Sequence, residues 1–294
     1  MPVELIVQHS HFDKGFDPGQ PQRYHVSILL MQDGYSFSIA DNAQNGKMVG
    51  LEWYRVQQTG TPIGDEAIRQ LIGDSLRKNN FLTGYLHKRT IFIDSRQTTL
   101  VPEALMQAGD ERMFYGFNHP ISNSVVVLSD HISAAGANNL FGIDSQYLKF
   151  IDDLFGSSSV HHASSVLLEV LLNQFKNQQL DDKIFVHIRP TWFEVVYIKN
   201  KQLQLFNSFE YKSREDLIYY LLFVMDQMGL NPEATEAVLL GEIERESQVF
   251  EVLYRYIRHI GFGRRIPSIS YSYVFDELPG HQHFTILNSH LCEL

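Results

Sequence analysis

The best candidate for a metal-ligating run in this chain is HQHFTILNSHLC, where His281 and His283 alternate, as do His290 and Cys292. Residues two apart on a strand share a face, and imidazole and thiolate are both zinc ligands. The spacing fits neither a zinc finger nor a ribbon, and a terminal hairpin with surface imidazoles accounts for it without a metal. No metal site is assigned on this pattern. His161 and His162 are adjacent, so on a strand they point to opposite faces. Cys292 is the only cysteine and has no base identifiable beside it in the sequence, which leaves it a poor nucleophile. The chain has no Gly-x-x-x-x-Gly-Lys-Ser/Thr loop, no Gly-x-Gly-x-x-Gly, no Gly-x-Ser-x-Gly and no His-Glu-x-x-His. One carboxylate stands out. Asp94 closes the β-branched run TIFID (90–94), and at the end of a central strand it is placed to face a cleft between domains.

The bulk composition narrows the classes. With 294 residues, 44% hydrophobic and 20% charged, the chain can bury a substantial core as one large or two medium domains. A formal net charge of −10 and the lack of a Lys/Arg run argue against nucleic acid, which calls for a basic surface. A single cysteine allows no disulfide framework within the chain and fits a reducing compartment. The start, MPVELIVQHSHFDKGFDPGQ, lacks the basic and apolar regions of a secretory signal. No stretch approaches the ~20 apolar residues that span a bilayer. These features predict a cytoplasmic protein without a transmembrane segment.

The elements that would position these groups read as one pattern written twice. Residues 1–22 are turn-rich and predict an arm laid over the first domain. HVSILLM (25–31) then meets Asp33-Gly34, a hairpin signal in which both central residues take positive φ. YSFSIA and KMVGLEWYRV follow as strands, then a helix from Asp65 over Ile68, Leu71, Ile72 and Leu76, then TIFID. About 160 residues on, IFVHIR, the turn Arg189-Pro190-Thr191, WFEVVYI and QLQLFNSF form a second three-strand meander. A helix capped by Ser213 and Asp216 follows, then the strand AVLLG (237–241) and a helix running from Val249 through Ile260 to Gly261. Between the meanders, SVVVL (124–128) and NNLFGI (138–143) predict strands that fill the first unit. Helices follow from Asp144 and over Val166–Leu171, with SSSVHHA as a short strand between them. The duplication predicts two α/β domains with mixed sheets, 1–180 and 181–294, meeting in the polar stretch near 178–183. The cleft between two such halves is a natural ligand site.

This element order resembles the actin-like ATPase superfamily, which includes Hsp70 ATPase domains, sugar kinases and the pilus-assembly and cell-division actin homologues. The segments DLIYYLLFVMDQMGLNPE and LNSHLCEL resemble an uncharacterised bacterial family assigned that fold, and the likeness covers about residues 24–294. It implies two RNase H-like α/β domains in an actin-like arrangement. It also implies two phosphate-gripping hairpins, Asp-x-Gly followed by Gly, Thr or Ser, and a Gly-Gly turn against which adenosine packs. Gln32 falls on the Asp position of the first hairpin, followed by Asp33, Gly34, Tyr35 and Ser36, with Tyr35 adding bulk. In the second, HIRPTWFEV puts His187 at the Asp position and replaces three glycines by Arg189-Pro190-Thr191. Pro190 has no N–H to donate, and the Arg189 and Trp192 side chains take up space that a phosphate needs. In the third, VLLGEIERES keeps Gly241 but puts Glu242 in place of the second glycine.

The resemblance therefore implies the fold while its chemical groups are replaced. The expected function is non-catalytic, a binding or scaffold protein with a protein partner and no cofactor. The alternative is a noncanonical nucleotide-binding protein or slow ATPase that holds ATP and Mg with Asp33, Gly34, Ser36, Asp94, Arg189, Thr191 and Gly241. Tyr219, Tyr220 and Phe223 lie on a helix whose Leu217, Leu221, Val224, Met225 and Met228 already supply an inner face. These aromatics pack on a neighbouring helix or mark a partner surface.

Overall fold

A computed structural model describes residues 4–57, 64–156, 158–176 and 182–292. The elements of its first part, in chain order, are β1 (Glu4–Phe12), β2 (Tyr24–Met31), β3 (Gly34–Asp41), β4 (Lys47–Gln57), α1 (Asp65–Lys78), α2 (Asn80–Thr83) and β5 (Lys88–Ile93). Then come β6 (Thr98–Pro102), α3 (Glu111–Gly116), β7 (Val125–Ile132), β8 (Ala137–Asp144), α4 (Ser145–Phe155), β9 (Val160–His162) and α5 (Ala163–Lys176). The second part holds β10 (Lys183–Ile188), β11 (Trp192–Lys199), β12 (Gln202–Glu210), α6 (Arg214–Gln227), β13 (Glu236–Gly241), α7 (Gln248–Tyr256), β14 (His259–Phe262) and α8 (Phe284–Asn288).

The duplication is visible in the sheets. A six-stranded sheet runs β1-β4-β3-β2-β5-β9 and a five-stranded sheet runs β12-β11-β10-β13-β14. In each, an antiparallel meander is extended by strands parallel to its first strand: β5 on β2, and β13 on β10. Alternate residues of β2 and β3 divide between two cores, as a period of two requires. Val26, Ile28, Leu30, Phe37 and Ile39 pack with Ile68 and Ile72 of α1 and Ile151 of α4. Leu29, Ala40 and Phe92 face a central core that also holds Val166–Leu168 of α5, Ile286 of α8, and Phe185, Val196 and Leu240 of the second sheet. A third core lies between the second sheet and α6 and α7. The layers are thus helices, sheet, a middle layer containing α5 and α8, sheet, helices.

Several local features follow sequence signals. Ser213 and Asp216 form the reciprocal cap of α6, and Asn200 and Lys201 both take positive φ in the tight turn between β11 and β12. Asp144 caps α4 through the Gln146 N–H. Other expectations are corrected. Residues 4–12 are not an arm but an edge strand paired with β4. The two strands expected to fill the first unit are present as β7 and β8, and with β6 they form a separate three-stranded sheet rather than joining the six-stranded one. The helix expected to run on to Gly261 ends at Tyr256, and His259–Phe262 pairs in parallel with β13, whose edge would otherwise expose a row of unpaired amides. In the first hairpin the turn residues are Gln32 and Asp33, with Gly34 already in β3 opposite Met31 and outside positive φ. Gly34 is required there for another reason: a Cβ would overlap the Tyr54 carbonyl oxygen of β4. Of the expected domain boundary near 178–183, residues 178–181 lie outside the described residues. No helix among the described residues is long and apolar enough to cross a membrane.

Candidate functional site

The arginine that replaces a glycine in the second hairpin organises the cleft. His187 and Arg189 are two apart on one face, and His187 pairs directly with Glu194 across the β10–β11 ladder. Arg189 is 5% exposed and Glu194 fully buried. The Arg189 Nε donates to both Asp94 oxygens at 2.7 Å, and Nη1 donates to Glu194 Oε2, also at 2.7 Å. Asp94 follows β5, so this ion pair ties the two halves together. The Trp192 ring lies 4.0 Å from the guanidinium carbon, and the Tyr211 hydroxyl donates to the Arg189 carbonyl at 2.6 Å. Burial pushes the Glu194 carboxyl up, but the Arg189 charge and the hydrogen bonds from His187 and Ser164 outweigh it and hold the group well below the usual carboxylate range. Burial and the Arg189 charge together lower the His187 imidazole.

A second bridge crosses the cleft. Arg55 of β4 donates to both Glu242 oxygens at 2.8 and 3.0 Å and lies 2.8 Å from Asp33. Its guanidinium sits over Trp53 at 4.7 Å, and His9 stacks on the same indole with ring centres 5.5 Å apart. The C-terminal segment enters from below: the Ile286 carbonyl accepts from Ser38 at 2.8 Å, and His283 meets Trp53 edge-on at 4.8 Å. Gly241 takes φ +85°, and a Cβ there would overlap the Ile188 carbonyl oxygen. Its N–H donates to the His281 carbonyl at 2.9 Å, and the Glu242 N–H to the Ile188 carbonyl at 2.8 Å. What is left is a cleft of about 340 Å³ whose lining includes Ser36, Asp94, Arg189, Gly241, Glu244 and Thr285.

A family described as "Protein of unknown function (DUF3822)" matches residues 13–260 of the chain. The chain belongs to that family. Among solved structures, it is similar to a Bacteroides thetaiotaomicron VPI-5482 protein described as having an actin-like ATPase fold and unknown function. That likeness has a TM-score of 0.73 at 22% identity and covers 84% of this chain and 93% of the other. It is also similar to the structure described as the PilM-PilN type IV pilus biogenesis complex, with a TM-score of 0.57 at 11% identity over 91% and 97% of the chains. No curated protein matches. The fold of this DUF3822 protein is therefore the actin-like arrangement of two RNase H-like units, and its function is unknown.

Of the seven positions read from the DUF3822 sequence as nucleotide contacts, Ser36, Asp94, Arg189 and Gly241 line the cleft together. Asp33 is held by Arg55, Gly34 is buried against β4, and Thr191 is exposed, its carbonyl accepting from the Tyr211 N–H at 3.0 Å. Tyr35 adds no bulk to the cleft: it points to the opposite side of the sheet, 2.8 Å from Ser75 Oγ. Trp192 stacks on Arg189 rather than lining the cleft. Sequence reasoning missed Glu194, Arg55 and Trp53. Glu194 had a signal: a lone carboxylate inside WFEVVYI, placed opposite His187 by the hairpin register.

The four C-terminal ligand candidates do not form the expected terminal hairpin with surface imidazoles. Residues 284–288 are helical because their apolar side chains fill the central core. His281 is bonded to the Ile243 carbonyl at 2.7 Å, while His283 packs on Trp53. Among the described residues no group of three or more His, Cys, Asp or Glu side chains could hold a metal ion. Burial pushes the Cys292 thiol up to about 12, which keeps it protonated. His161 and the His162 N–H both bind Asp130, at 2.8 Å. His162 Nδ1 accepts from the Ser164 N–H at 3.1 Å, so its Nε2 carries the proton and donates to Ser95. That tautomer cannot take a proton from Ser95, so the pair is no activated nucleophile.

Proposed function

We propose that this protein is a non-catalytic member of the actin-like fold, a cytoplasmic binding or scaffold protein that works through protein partners and takes no nucleotide. The observation that carries the reading is the internal cation. Arg189 is held between Asp94 and Glu194 at 2.7 Å, on the hairpin that the resemblance assigns to gripping phosphate. A phosphate would have to displace two carboxylates from a buried guanidinium, and a metal ion would have to displace the guanidinium itself; both break a satisfied buried pair. The Gly241 and Glu242 amides donate to carbonyls of the chain and are not offered to a ligand. Asp94, Glu242 and Glu244 also line the cleft, a charge that opposes a polyphosphate. The structural neighbour solved as a PilM-PilN complex supports a protein partner for this fold when it is not read as an enzyme.

Isothermal titration with ATP and ADP, with and without magnesium, tests the reading. No heat and no thermal stabilisation are expected at nucleotide concentrations of about 1 mM. Micromolar binding that weakens in Arg189→Ala would overturn it.

A further inference from the structure

The cleft holds more polar groups than the protein uses. Ser36 and Thr285 are 1% and 5% exposed and both line the cleft, yet among the described residues neither hydroxyl is hydrogen-bonded to the protein. Both residues line the cleft, and neither oxygen is among the side-chain atoms sealed away from it without a partner, so a ligand in the cleft can reach them. Glu244 lines the same space at its exposed mouth, and among the described residues its carboxylate has no cation beside it. Counting the side chains that line or directly back the cleft, Asp33, Asp94, Glu194, Glu242 and Glu244 face two guanidiniums, Arg55 and Arg189. The imidazoles do not redress the balance: burial lowers His9, His187 and His283, the last to about 3.

We propose that the cleft binds a small organic ammonium ion. An ammonium group has three donors and no acceptor, which suits the unused hydroxyl oxygens of Ser36 and Thr285 and the free carboxylate of Glu244. The carbon part of such a ligand meets Leu29, Ile243 and Val249. At about 340 Å³ the space lies at the small end of ligand pockets, enough for a short aliphatic or guanidino cation. The inference rests on the preceding reading that the cleft does not serve a nucleotide, because the same surplus of carboxylates that attracts an ammonium repels a polyphosphate.

The test is isothermal titration of the full chain with cadaverine, with glutarate as a dianion of the same length, and separately with Mg-ATP. Cadaverine is expected to bind with a Kd of about 1 mM or below, and glutarate not at all. Glu244→Gln should weaken cadaverine about tenfold through loss of one charge-assisted contact. Glu233→Gln, exposed and outside the cleft, should leave it unchanged. Ser36→Ala should weaken it without removing charge. Absence of cadaverine heat up to about 10 mM, equal affinity in wild type, Glu244→Gln and Ser36→Ala, or binding of glutarate would each overturn the proposal. Heat with Mg-ATP overturns instead the reading on which it rests, so the two failures are told apart.

Discussion

Replacing Arg189 by methionine is the most direct probe of the internal cation. The substitution keeps a long, flexible apolar side chain but leaves the Asp94 and Glu194 side chains, 10% and 0% exposed, without the charge that compensates them. Removing one partner of a buried ion pair costs ~3–5 kcal/mol, mainly because the other charge stays buried and unpaired. Here two carboxylates lose the same partner, so the upper end applies, and loss of stacking on Trp192 at 4.0 Å adds ~0.5–1 kcal/mol. A total of about 5 kcal/mol is a large part of an ordinary folding stability of ~5–15 kcal/mol. At about 2–4 °C per kcal/mol for a chain of this size, Tm should fall by about 10–20 °C.

The pH dependence supplies a signed check. In the wild type the depressed Glu194 carboxyl contributes stability at neutral pH that is lost as pH falls through its folded pKa. In Arg189→Met burial acts without the guanidinium, the folded pKa rises, and the variant gains relative stability on acidification. The gap between the two proteins should therefore narrow from pH 7 toward about 4. Combining Arg189→Met with Asp94→Asn and Glu194→Gln removes the stranded charges and should recover more than half of the loss. Urea titration followed by the fluorescence of the two tryptophans, with calorimetry for Tm, measures all of this. A loss below about 1 kcal/mol, or no recovery in the triple variant, would refute the argument.

Gly241→Ala should destabilise by at least ~2 kcal/mol, since residue 241 holds φ +85° and an added methyl would overlap the Ile188 carbonyl; denaturation curves superimposable with wild type would show that the turn relaxes freely. His283 is lowered to about 3 by burial and by neighbouring His9 and His11, whereas an unfolded imidazole titrates near ~6.5. The unfolded state therefore binds more protons across that window, and stability should rise with pH through it by up to ~1.4 kcal/mol per pH unit. His283→Asn, which tolerates the observed φ of +53°, should flatten the profile of Tm against pH between about 4 and 6. Parallel profiles would remove His283 from the account.

Most of the elements, and their repetition, were legible in the sequence alone. Hydrophobic period, the Ser213–Asp216 cap, the Asn200-Lys201 turn and the Arg189-Pro190-Thr191 break are interactions among near neighbours, so they are legible in a single chain. Two meanders with following helices and strands were enough to imply the duplicated α/β fold, and the turn substitutions marked where phosphate-binding chemistry is replaced. Tertiary structure decided what depends on distant partners. β7 and β8 paired with β6 in a sheet of their own, and His259–Phe262 became a strand because β13 offered an open edge. Gly34 lies in β3 rather than in the turn, and it is glycine because β4 passes too close for a side chain. The C-terminal residues, read as a hairpin, became a helix because two sheets left an apolar gap between them. Above all, Arg189 meets Asp94 from 95 positions away, and no local pattern states which carboxylate will stand opposite a guanidinium across a cleft. Pattern encodes what a segment can form; packing between segments selects which buried charges must neutralise one another, because an unpaired charge is tolerated in water and not in the core.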